Sequence, residues 1–340
     1  MNMKTIASVA TLAFLFCFSA FADKLKVGFV YIGPVGDHGW TYMHDQGRQA
    51  VEKAYGDKVE VTYMESVKYG PDAERAIRGL AKEGMDIIFA TSFGYMEPML
   101  KVAKEFPNIK FEHATGYKTN DNMSVYSGMF YQGRYVQGVI AGHMSKTGKA
   151  GYIASFPIPE VVRGINAFYL GAKSVNPDFD IDVVWVNSWY DPVKEGNAAK
   201  VLISEGADII TQHTDSPAAL QVAQQQGVYA FGQASNMYQF APKAQLTAII
   251  DDWSPYYIKR VGQVIDGTWK KSDTWGDMKS GMVKMAPYTN MPNNIALIAK
   301  DTEKKVMNGD IKPFNGKYSV GELLSMNKYV KGIDASLPKW

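Results

Sequence analysis

Two segments of this 340-residue chain occur twice, at almost the same separation. "LAKEGMDIIFATS" (80–92) aligns without gaps to "LISEGADIITQHT" (202–214), and "KVGFVYIGP" (26–34) to "KAGYIASFP" (149–157), with offsets of 122 and 123. That period is far too long for a solenoid, whose units repeat every ~20–50 residues. It marks a duplicated unit of domain size, so the chain is expected to fold as two similar lobes, one after the other.

Each unit alternates short apolar runs with amphipathic stretches. The first reads "LKVGFVYI", a helix over 41–55, "VEVTYM", a helix over 72–83, "MDIIFAT", a helix near 97–104 and "IKFEHAT". Strands alternating with helices in this way predict βαβ units around a parallel sheet. The fold class is therefore α/β, with two doubly wound parallel-sheet lobes. Boundaries are expected at 23–128 plus about 252–287 for the first lobe, and 129–251 plus about 288–340 for the second, with hinge crossings near 128, 251 and 287.

Residues 1–22 read as an export signal, with Lys4, the apolar segment "IASVATLAFLFCFSAF" and a small-residue site at Ala20-Phe21-Ala22. The apolar segment is shorter than the ~18–20 residues a spanning helix needs. Cleavage after Ala22 predicts an exported, periplasmic protein. Cys17 is the single cysteine and follows Phe16, where a lipid-attachment site prefers a small residue, so a lipoprotein is not expected. The mature chain then has no thiol, which excludes disulfides, zinc-thiolate sites and cysteine nucleophiles.

The net charge of +2 falls to about +1 once Lys4 is removed, and no basic run occurs. Nucleic acid is not an expected partner. The glycines at 33, 36 and 39 recur every third residue, with Asp37 between them, and do not fit the dinucleotide fingerprint G-x-G-x-x-G. No Walker-type phosphate loop and no G-x-S-x-G elbow is present, and the histidines at 38, 44, 113, 143 and 213 never pair with carboxylates at a usual metal-ligand spacing. No cofactor, no metal and no catalytic residue is expected; His113 and His143 read as satisfied or surface histidines.

In open parallel sheets, ligands bind outside the carboxyl ends of the strands. Those ends carry rings beside hydrogen-bonding groups: Asp37 with Trp40, Ser92 with Phe93 and Tyr95, Phe156 with Glu160, Trp189 with Asp191, and His213 with Thr214 and Asp215. Facing rings form a slot for a flat ligand with polar edges, such as a heterocycle. Each member has an alternative reading. Trp40 could pack at a helix start, Phe93 and Phe156 could cap sheet cores, and Asp37, Asp191 and Thr214 could be N-caps. Tyr95 and Glu160 read as rim or surface, and Trp253, Tyr256 and Tyr257 as core.

The segments "KVGFVYIGPVGDHGW", "FATSFGY", "YQGRYVQGVIAGH", "PEVVRGINAF", "GADIITQ" and "GVYAFG" resemble the basic-membrane-protein family, the purine nucleoside receptor-like substrate-binding proteins of ABC importers. The resemblance runs from Lys24 to about residue 260. It implies a two-lobed receptor of the type I periplasmic-binding plan, usually monomeric, that closes over a small molecule and docks on a membrane permease. Where nucleoside-binding members hold an aspartate and a lysine, this chain has Ala234 and Asp251, and where they have S-F-N it has Gly39-Trp40-Thr41. An acceptor for a sugar diol has become a methyl, and a cation has become an anion. The expected ligand is therefore a purine nucleobase such as adenine, rather than a nucleoside, and the expected ligand-binding residues are Asp37, Trp40, Ser92, Phe93, Phe156, Trp189, Asp191, His213 and Asp251. A nucleobase- or nucleoside-class enzyme with His213 and Asp215 as acid and base is the rival reading.

Overall fold

A computed structural model describes residues 23–338 and shows two six-stranded sheets. The first is built from β1 (Leu25–Val30), β2 (Val59–Met64), β3 (Ile87–Ala90), β4 (Lys110–Ala114) and β5 (Met123–Gly128). Helices α1 (Gly39–Tyr55), α2 (Pro71–Lys82) and α3 (Met96–Glu105) connect them. The second contains β6 (Lys149–Ala154), β7 (Asp180–Trp185), β8 (Ile209–His213), β9 (Tyr229–Gly232) and β10 (Gln245–Asp251). Helix α4 (Tyr131–Met144) leads into it, and α5 (Pro159–Lys173), α6 (Pro192–Ser204) and α7 (Ala218–Gln225) cross over between its strands.

The central strands are buried, as strands of a sheet covered on both faces are: all four residues of β3 are buried, as are the last four of β1. The orders are β2-β1-β3-β4-β5 and β7-β6-β8-β9-β10, each extended by a sixth strand beyond β5 or β10. The first five strands of each sheet correspond one to one, which is the physical meaning of the repeat: the two aligned segments are β1 with β6, and the turn into β3 with the turn into β8.

The edges differ. After β10 the chain forms α8 (Ser254–Ile265), which packs on α1, and β11 (Asp273–Gly276), which pairs parallel to β5 in the first sheet. It then returns as β12 (Val283–Met285), antiparallel to β10 in the second. A boundary near 287 would assign that strand to the first lobe; its pairing with Ile249–Asp251 puts the return between Gly276 and Val283. Helix α9 (Asn293–Asn308) packs on α4, and after α10 (Val320–Leu324) the tail is tied to α5 through Asn166, whose Nδ2 donates to the Lys328 carbonyl at 2.9 Å and whose Oδ1 accepts from Val330 N at 3.0 Å.

Helices α4 and α5 approach so closely that glycine is required on both sides. A Cβ at Gly138 would lie 2.0 Å from the Phe168 carbonyl oxygen, and one at Gly171 2.2 Å from that of Tyr135. Among the described residues, no helix is long and apolar enough to cross a membrane.

Candidate functional site

Strand order reverses between β1 and β3 in the first sheet and between β6 and β8 in the second, and at such a point the loops diverge and leave a crevice. The two crevices face each other. Between them lies a cavity lined from the first lobe by Ile32, Trp40, Ser92, Phe93 and Thr115, and from the second by Ile158, Glu160, Trp189, His213, Asp215 and Gln233. His213 is the last residue of β8, and each of the others follows the carboxyl end of a strand.

Trp40 is held on three sides. Its indole Nε1 donates to the Thr91 carbonyl at 2.6 Å, and its ring stands edge-on to His44, Trp253 and Phe130 with centroids 4.6, 5.3 and 6.0 Å away. The Ser92 hydroxyl pairs with Tyr69 Oη at 2.7 Å, and its carbonyl accepts from His113 Nε2 at 2.8 Å, so the loop that carries Phe93 is anchored from below. Across the gap, Trp189 packs against Phe156 at 5.2 Å and His213 at 6.2 Å.

The polar edge is acidic. Glu160 lies 3.3 Å from His213 Nε2, while His213 Nδ1 is buried with no partner among the described residues. Burial pushes the His213 pKa down, so the ring is neutral and can donate or accept. Asp215 is half-buried, and desolvation raises its pKa to about 7 even though its Oδ1 accepts from Trp40 N at 3.1 Å. Behind the wall, Arg134 donates to Gln137, Thr211 and Gln233, which sets the Gln233 amide with its oxygen turned away toward the guanidinium.

Of the residues expected from sequence, the structure brings Trp40, Ser92, Phe93, Trp189 and His213 into one cavity, and places Phe156 beside it in an adjoining recess. Asp37, Asp191 and Asp251 stand outside its lining. Asp37 is exposed and pairs with His38 Nδ1 at 2.7 Å and Gln239 Nε2 at 3.3 Å. Asp191 is the N-cap of α6 and accepts from Lys194 N at 3.0 Å. Asp251 is 1% exposed, and neither carboxylate oxygen has a hydrogen-bond partner among the described residues. Burial, reinforced by the charge of Glu160, drives its pKa far above the ordinary carboxylate range.

Two expectations are corrected. Glu160, read as rim or surface, lines the cavity because the first turn of α5 turns it inward toward His213. Tyr95 is fully buried, with its hydroxyl on the Val67 carbonyl. Thr115 and Gln233 were missed, yet both follow strand ends, β4 and β9, and the strand-end rule that found the others also reaches them. Trp253, Tyr256 and Tyr257 are core residues, as expected. His113 is buried and His143 exposed. Among the described residues, no cluster of three His, Cys, Asp or Glu side chains is disposed to hold a metal ion.

Two duplicated α/β lobes with a ring-walled cavity at their facing strand ends define a ligand-binding protein of the type I periplasmic-binding plan. The chain belongs to the Bmp family, described as ABC transporter substrate-binding protein PnrA-like, whose sequence model matches residues 24–323. Proteins of this family are solute-binding components of ABC transporters; they act outside the cytoplasm, take a small-molecule ligand and have a membrane permease as partner. A purine-binding protein of Brucella abortus is 59% identical over 332 residues, covering 93% of this chain and 95% of that one. A putative ABC transporter glucose-binding protein of Haloferax volcanii is 38% identical, covering 93% of this chain and 82% of the relative. The solved structure of an ABC transporter solute-binding protein from Aeropyrum pernix superposes with a TM-score of 0.72 at 18% identity, covering 85% of this chain and 92% of that one; this likeness bears on the fold alone.

Proposed function

We propose that this protein is the exported receptor of an ABC importer for a purine nucleobase, adenine foremost, gripped between Trp40 and Phe93 of the first lobe and Trp189 of the second. The observation that carries the reading is the pairing of flat rings with an acceptor-rich edge: Glu160, Asp215 and the neutral His213 face a cavity walled otherwise by the rings of Trp40, Phe93 and Trp189, by Ile32 and Ile158, and by the neutral polar Ser92, Thr115 and Gln233. The exocyclic amine and ring N–H of adenine are donors; an ionised carboxylate only accepts, and Asp215, with its pKa raised to about 7, is in that form above neutral pH. Ala234, where nucleoside-binding members hold an acid, offers no acceptor to a ribose diol. That loss removes about 1–3 kcal/mol of selectivity for the sugar. The 59% identical relative named for purine binding supports the ligand class.

Closure of the lobes supplies the signal to the permease, and no bond is made or broken in the ligand. The leader is removed after Ala22, the mature chain is not lipidated, and it works as a monomer. Asp37 and Asp191 take no part in ligand contact, and Asp251 acts from beneath the site.

One observation favours a nucleoside. Past Phe93, Thr115, Ile158 and Glu160, the cavity adjoins a recess that also exposes Ser127, Asp273, Ser325 and Asn327, which offers hydroxyl partners for a sugar.

The experiment is to unfold and refold the mature protein, which strips carried-over ligand, then screen adenine, guanine, hypoxanthine, adenosine, uracil, glucose and amino acids by thermal shift, with product analysis of every hit. A ligand at a hundred times its dissociation constant adds about 2.7 kcal/mol. Adenine is expected to give the largest shift and to be recovered unchanged. Adenosine binding as well as adenine would sink the nucleobase reading, and conversion to product would sink the receptor reading.

A further inference from the structure

Helix α1 begins without a cap of its own. Its N-cap residue, His38, is extended (φ −162°, ψ 169°) and makes no side-chain capping bond. The first N–H groups of a helix have no partner within it and need one from elsewhere. Here the partners come from the other lobe: Gly39 N donates to Ser235 Oγ at 2.8 Å, and Trp40 N donates to Asp215 Oδ1 at 3.1 Å.

The residues just before the helix dock the same way. Asp37 accepts from Gln239 Nε2 at 3.3 Å, and the His38 ring stands edge-on to Phe240 with centroids 4.8 Å apart. Gly39 has φ +80°, and a Cβ there would lie 3.2 Å from the Asp215 carbonyl oxygen and 3.3 Å from Oδ1. The contact is close enough that the second lobe lies against bare backbone.

We propose that residues 37–40 form a latch in which Asp215 and Ser235 of the second lobe cap helix α1 of the first, so that the helix start carrying Trp40 is completed only when the lobes are closed. Separation of the lobes returns both N–H groups to water and releases the backbone of a cavity-wall residue. Asp215 is thereby a positioning residue: it acts on the site through Trp40 in addition to lining the cavity. The same contacts give Asp37 its place, at the seam outside the cavity. The inference rests on the closing-receptor reading above, but not on the ligand being a purine.

The test uses the absence of cysteine after Cys17. Cysteines introduced by Asp37→Cys and Gln239→Cys face each other only in the closed form, so their rate of disulfide formation under mild oxidation, without ligand, reports how often the lobes close. In that background, Ser235→Ala and Asp215→Ala are each expected to slow trapping about five-fold, the usual worth of a helix cap. Asp215→Asn, whose amide oxygen still accepts from Trp40 N, is expected to restore most of the rate. Equal trapping rates in both alanine variants and the parent overturn the latch; Ser235→Ala alone decides the matter if Asp215→Ala does not fold. A final arm adds adenine to the parent. If adenine fails to accelerate trapping while the alanine variants remain slow, the purine reading falls and the latch stands.

Discussion

The indole of Trp40 is bonded to the backbone of Thr91, Nε1 to carbonyl oxygen at 2.6 Å, so the end of β3 sets the orientation of a ring that belongs to α1. The ring also stands edge-on to Phe130 and Trp253, next to two of the places where the chain passes between the sheets. A ring fixed in this way presents a pre-set face to the cavity and loses little freedom when a ligand stacks on it.

Trp40→Ala should therefore weaken binding of the best hit by about ten- to hundred-fold, since stacking of a base on an aromatic ring is worth about 1–3 kcal/mol. Trp40→Phe retains a ring but lacks the donor to Thr91, and should fall between. Titration calorimetry on refolded protein measures both. An alanine variant with parental affinity would take Trp40 out of the site.

Asp251 makes a prediction about stability with a defined sign. Its folded pKa lies above the unfolded value, so its contribution is fully favourable below about pH 4 and is lost as pH rises through the folded pKa. Asp251→Asn is close in shape and carries no charge. The variant should melt several degrees above the parent at pH 7.5, and that gain should shrink as pH falls and approach zero only below about pH 3, where the parent carboxyl is protonated in both states. A variant less stable than its parent at pH 7.5 would show that the carboxylate is paired in solution.

These residues also show what could be read in advance. The repeat and the alternation of strand and helix are properties of the backbone plan, so two parallel-sheet lobes and Trp40, Ser92, Phe93, Trp189 and His213 at strand ends were legible. Whether an acid at a strand end faces the ligand, caps the next helix or is sealed beneath the wall depends on one rotamer and on the opposite lobe. Asp191, Asp215 and Asp251 are alike in sequence context and took three different fates. The interlobe role of Asp37 depends on Gln239, 202 positions away, and no local pattern encodes that distance.

His113 carries the opposite pH sign. Burial lowers its pKa to about 4, and its Nε2 is engaged by the Ser92 carbonyl. A depressed folded pKa gives stability that is present above the unfolded value near 6.5 and is lost as pH falls from there toward 4. His113→Gln keeps a donor for Ser92 and cannot titrate. Denaturant midpoints taken from pH 7 down to 4 should fall less steeply in the variant than in the parent; parallel slopes would mean that the ring is not held neutral in the folded protein.

Glu112 and Arg260 form a buried ion pair that anchors the helix returning from the second lobe to the sheet of the first. Arg260 Nε donates to Glu112 Oε1 at 2.7 Å, and Trp269 Nε1 and Tyr256 Oη complete the carboxylate's partners, each at 2.7 Å. The guanidinium also reaches Ser124 Oγ at 2.9 Å and the Lys270 carbonyl at 3.0 Å. Both side chains are almost fully enclosed, so removal of one leaves the other's charge stranded, which costs about 3–5 kcal/mol. Glu112→Ala should lower the melting temperature by about ten degrees. Neither residue lines the cavity, so whatever protein remains folded should bind its ligand with parental affinity. A variant that melts like the parent would mean that water reaches the pair, and one that loses binding while keeping its melting temperature would place the pair on the path between the crossover helix and the cleft.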